Sequence, residues 1–104
     1  MPPILGTWDV NLKTPIGTLS AVYVFTDVGG VLAGTASAKS ETVPLVAIVC
    51  DGPRVTWQQS VTRPIRLNLD FDVMVDGETF TGHSRAGRLP RTTVTGTRRS
   101  NRKS

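Results

Sequence analysis

Apolar and polar residues alternate with a period of two along much of the chain. Trp8, Val10 and Leu12 alternate with Asp9, Asn11 and Lys13; Val55, Trp57, Gln59 and Val61 alternate with Thr56, Gln58, Ser60 and Thr62. The longest case sets Ile65, Leu67, Leu69, Phe71, Val73 and Val75 against Arg66, Asn68, Asp70, Asp72, Met74 and Asp76. On a helix those six apolar side chains would scatter around the axis, whereas on a strand they share one face. The pattern predicts strands near 6–13, 18–27, 31–39, 42–50, 54–62, 65–75, 78–85 and 92–98, and no helix.

Turn chemistry falls between these segments. Thr14-Pro15-Ile16-Gly17, Asp27-Val28-Gly29-Gly30, Asp51-Gly52-Pro53 and Asp76-Gly77 supply the proline and positive-φ residues that tight turns use, and Arg63-Pro64 interrupts another pair. Gly30, Gly52 and Gly77 are 22 and 25 residues apart, an interval that holds two strands. Short, even connections favour pairing between sequence neighbours, and closing eight strands removes every free edge. The expected fold is therefore an all-β, eight-stranded antiparallel up-and-down barrel, with a flattened β-sandwich as the alternative.

Length and charge refine the picture. The chain has 104 residues and 38% hydrophobic content, enough for one compact domain. All eight acids lie in residues 1–78, whereas residues 79–104 hold seven bases and no acid. The expected organisation is one barrel over residues 1–97 and a basic, solvated tail over 98–104. No apolar run is long enough for a membrane helix, and no secretory signal is expected. A single cysteine, Cys50, permits no internal disulfide, and the expected location is the cytoplasm.

Gly6-Thr7-Trp8 on the first predicted strand resembles the Gly-x-Trp signature that opens lipocalins, fatty-acid-binding proteins and avidins, the calycin-like barrels. Gly30-Val31-Leu32-Ala33-Gly34-Thr35 is similar to the turn and third strand of an avidin. The resemblance covers about a third of the chain. It implies a barrel whose interior holds a small apolar molecule, with Trp8 closing one end.

Several residues are candidates for function. Gln59 shares the inward phase of Val55, Trp57 and Val61, and a buried amide without partners costs about 1–3 kcal/mol, so it must bond a neighbour, water or a ligand. Tyr23, in phase with Leu19, Ala21 and Phe25, offers a phenol able to orient a carbonyl or hydroxyl, though ordinary core packing uses the same phase. Trp8, Trp57 and Phe71 suit a pocket lining or a core equally. His83 is the one histidine, placed outward if Phe80 points inward, where nothing local supplies a nucleophile or orienting carboxylate within hydrogen-bond reach. One histidine and one cysteine do not form a metal site, and no cofactor is expected. Asp70 and Asp72 fall on the polar face of their strand. Cys50, with no base adjacent in sequence, reads as an inert small hydrophobe.

The second and fourth predicted strands are apolar on both faces, and Val22, Val24, Val46 and Ile48 form an expected outer patch for a homodimer or larger oligomer. The tail bases lack accompanying exposed aromatic rings, so specific nucleic-acid binding is not expected. The leading functional expectation is binding of a small hydrophobic molecule between Trp8, Tyr23, Trp57, Gln59 and Phe71. The alternatives are a cofactor-free cyclase- or isomerase-type enzyme using the same pocket, and a structural or interaction module with a filled core.

Overall fold

The computed structural model describes residues 4–14, 17–38, 41–61, 67–87 and 90–99, with the backbone alone at 14, 61 and 67. It contains eight strands: β1 (Gly6–Thr14), β2 (Gly17–Val28), β3 (Val31–Ala38), β4 (Glu41–Asp51), β5 (Arg54–Val61), β6 (Leu67–Asp76), β7 (Thr79–Arg85) and β8 (Thr92–Arg98). Each pairs antiparallel with its sequence neighbour, and β8 pairs with β1, which closes the barrel in the up-and-down order 1 to 8. The all-β barrel expected from the alternation is the fold adopted, and the sandwich is not. Among the turn and strand positions expected from sequence, Pro15, Ile16, Lys39, Thr62, Arg63, Pro64, Ile65 and Arg66 lie outside the described residues, as do 100–104 of the basic tail.

Closure converts the period-two pattern into an inside and an outside. Val10, Tyr23, Phe25, Ala36, Leu45, Val55, Trp57, Phe71, Val73, Val75, Phe80 and Val94 all turn inward and are buried, with Trp8 and Ile4 at 0% exposure. Their polar neighbours, from Asp70 and Asp72 to Thr56 and His83, stand on the outer wall. The β2–β3 connection shows how local chemistry enforces this order. Gly29 and Gly30 adopt φ of 60° and 87°, and the Asp27 carboxylate accepts the Gly30 N–H at 2.8 Å.

The fourth strand departs from simple alternation. Val46 pairs with Gln58 and Val49 with Thr56, so Ala47 and Ile48 together oppose the single residue between them, Trp57, and Ala47 takes φ 53°. This β-bulge shifts the side-chain phase by one residue. Leu45 faces inward before it; Ile48 and Cys50 pack against the core after it, leaving Val46 and Val49 outside at 52% and 56% exposure. Ile48 therefore does not belong to the outer patch expected from sequence. Val22 and Val24 lie on the outer wall, partly buried, and flank β3 as expected.

Gly96 makes room for the largest ring at its level. It pairs with Phe80 across β7–β8, and a Cβ there would sit 2.4 Å from the Phe80 ring. The Phe80 ring in turn contacts Trp8 at 4.7 Å between centroids, so little can yield. Gly96→Ala is expected to lower stability by about 1–3 kcal/mol, the usual penalty for an overpacked core, as read from the urea midpoint. A midpoint unchanged from the parent would show that Phe80 moves freely.

Candidate functional site

The two ends of the barrel differ. At the end where β1 begins and β8 finishes, Trp8 lies directly across the β1–β8 ladder from Arg98, so both side chains project to the same side. The Arg98 guanidinium sits 4.4 Å above the Trp8 ring centroid, donates to the Leu5 carbonyl and meets Glu78 at 3.2 Å. From below, the Trp8 indole N–H donates to the Ile4 carbonyl at 2.8 Å. The indole N–H is thus satisfied and its charged cover is held by a carbonyl and a carboxylate while the ring seals this end. Arg98, expected to open a solvated tail, is the last residue of β8, and the Arg99 N–H continues the pairing onto the Thr7 carbonyl at 2.7 Å.

Above this plug the interior is aromatic. Trp57 stacks on Phe71 at 4.9 Å with planes 8° apart, and Phe25 and Tyr23 approach Trp57 at 5.1 and 5.9 Å. Trp57 and Phe71 meet because they are register partners across β5–β6. The structure brings Tyr23, Trp57, Gln59 and Phe71 into one cluster, and Trp8, whose ring packs on Phe80, lies at the sealed end.

Gln59 is 5% exposed and engaged by its neighbours. Its Oε1 accepts the Trp57 indole N–H at 3.1 Å, and its side chain hydrogen-bonds the Tyr23 phenol. Burial pushes the Tyr23 phenol well above its ordinary range, with the Gln59 contact opposing only part of that rise. Tyr23 is accordingly a neutral hydroxyl at physiological pH, suited to hydrogen bonding and not to proton abstraction.

Toward the other end, inward-phase side chains lose their cover. Leu12, Ala21, Val43 and Leu69 are only partly buried, and Leu19 is 59% exposed although it pairs with Leu12 on the inner face. Ser84, opposite Phe71 on β7, is buried at 3%. Sequence reading passed over Ser84, yet extending the phase of Phe80 by four residues points it inward. His83 and the two aspartates stand outside, and Asp72 is gripped by Arg54 through Nε and Nη2 at 3.1 and 2.7 Å. Cys50 is half-buried, and desolvation raises its thiol.

The plug makes a quantitative expectation. Removing the guanidinium strands the Leu5 carbonyl and uncovers Trp8, so Arg98→Ala is expected to cost about 2 kcal/mol or more. Arg98→Lys, which keeps charge but not the planar stack, should fall between the two. Denaturant unfolding followed by tryptophan emission checks both, and an Arg98→Ala midpoint equal to the parent's would remove the plug's energetic role.

No family model matches the chain, and no curated protein does. Among solved structures it is similar to one of a redesigned beta barrel, at TM-score 0.69 and 16% identity, over 94% of this chain and 93% of that one. At that identity the likeness concerns the fold alone: an eight-stranded closed antiparallel barrel.

Proposed function

We propose that the barrel binds a small hydrophobic molecule through the end opposite the Trp8–Arg98 plug. The observation that carries this reading is the asymmetry of the interior. One end is sealed by a ring and a fully engaged cation, while at the other the inward apolar positions Leu12, Leu19, Ala21, Val43 and Leu69 are left partly or largely exposed. A guest seated there covers those side chains and rests on the floor made by Tyr23, Trp57, Gln59 and Phe71. Trp8 supports that floor from beneath. The Gln59 amide carries two N–H groups and the phenol one O–H, more donors than the Tyr23–Gln59–Trp57 chain consumes, which leaves a polar handle for a carbonyl or hydroxyl on the guest. Eight strands leave space for one small molecule at most.

A second reading, an interaction module with a filled core, is favoured by the contact of the aromatic rings with one another and by Val46 standing exposed on the outer wall, on the far side of β3 from Val22 and Val24. In that case self-association through Val22, Val24 and Val46 replaces ligand binding.

Titration with 1-aminoanthracene, an apolar fluorophore, separates the two. Saturable 1:1 binding with quenching of tryptophan emission is expected, and Leu19→Glu, at an exposed position, should weaken it at least tenfold with the fold intact. Absence of saturable binding, together with a Val46→Asp variant that shifts the protein from dimer to monomer by light scattering, would replace the first reading with the second.

A further inference from the structure

The outer wall carries a second feature, separate from the interior. A groove of about 370 Å³ crosses β5, β6 and β7, bordered by the bulge residue Ala47 on one side and by Arg91, just before β8, on the other. Register places its side chains in two rows: Thr56, Asp72 and His83 in one, Gln58, Asp70 and Arg85 in the next. Strand segments at Trp57, Phe71 and Ser84 form its floor. The bulge residue of β4 thus forms one rim of the groove.

The charges in the groove are not mutually satisfied. Both oxygens of Asp72 are taken by Arg54, whose guanidinium holds the carboxyl below its usual range, with His83 adding to the effect. Arg85 and Arg91 make no hydrogen bond or ion pair with another described residue. Asp70 alone remains as an uncommitted acid against two uncommitted guanidinium groups. The groove therefore has spare positive charge and spare planar donors on its β7–β8 side, with Asp70 of β6 next to Arg85 and the Thr56 hydroxyl and Gln58 amide of β5 beyond it.

We infer that this groove binds the phosphate group of a small organic phosphate monoester, held by Arg85 and Arg91. Two separate guanidinium groups suit a dianion with three terminal oxygens better than a carboxylate, which a single arginine satisfies in a bidentate pair. Asp70, next to Arg85 in the same row, receives a hydroxyl from the organic part of the molecule, and the Gln58 amide and Thr56 hydroxyl on β5 meet its far end. The volume suits a molecule larger than phosphate itself, and the position on the outer wall leaves the barrel interior free.

The test is an amide-resolved NMR titration of the full chain at constant ionic strength with glycerol phosphate, inorganic phosphate and acetate. Saturable shifts centred on Thr56, Gln58, His83 and Arg85 are expected, with glycerol phosphate tighter than phosphate and acetate at least tenfold weaker. The double variant Arg85→Gln/Arg91→Gln should weaken glycerol phosphate at least tenfold, while Arg99→Gln, which alters a guanidinium paired with Asp9 away from the groove, stays within twofold of the parent. Should the double variant unfold, Arg91→Gln alone, outside the strands, carries the comparison with an expected loss of threefold or more. Shifts that fail to saturate, that survive loss of the arginines, or that acetate reproduces at equal concentration would overturn the assignment.

Discussion

The structure depends on the β1–β8 ladder, the contact between chain ends that turns a ribbon of eight strands into a ring. It sets Trp8 against Arg98 in register, and that pairing places a guanidinium over an indole ring where it also reaches the Leu5 carbonyl and Glu78. A cation this close to an apolar interior is tolerated because it donates to the Leu5 carbonyl, pairs with Glu78 and lies on the face of the Trp8 ring. Without closure neither the plug nor a common interior exists, since no single hairpin here buries both faces of its aromatic residues.

A sealed end makes the interior directional. Side chains of the same inward phase pass from complete burial at Trp8, Phe80 and Val55, through the aromatic layer around Trp57, to the exposed Leu19. Within that gradient the Tyr23–Gln59–Trp57 chain is the one polar insertion shared between strands β2 and β5, and it stays neutral because burial opposes ionisation of the phenol. A neutral, hydrogen-bonded layer of this kind, with the phenol held protonated by burial, is a poor setting for proton transfer.

The ring has consequences outside as well. Every residue that is not inward is displayed on a convex wall, where polar rows from neighbouring strands line up by register. One irregularity, the bulge at Ala47, turns Ile48 into the core and places Ala47 on the rim of the outer groove. The same extra residue therefore thins the apolar outer patch and borders the groove that gathers Arg85 and Arg91.

Strand identity, the number of strands and the inward set were legible in the chain because they are local: a period of two and glycine-bearing turns act within a few residues. Tyr23, Trp57, Gln59 and Phe71 were recognisable as inward for that reason, and His83 as outward. What the sequence by itself determined is thus the alternation, and through it the barrel. Three features were decided only by tertiary structure. The bulge arises from the pairing of β4 with β5, and nothing within Leu45-Val46-Ala47-Ile48-Val49-Cys50 marks where the phase breaks. Arg98 looks by composition like the start of a basic tail, and becomes a half-buried cover only because β8 finds β1 some ninety residues away. The groove collects side chains from β4 through the start of β8, positions whose proximity is a matter of register between strands and has no trace in the spacing along the chain.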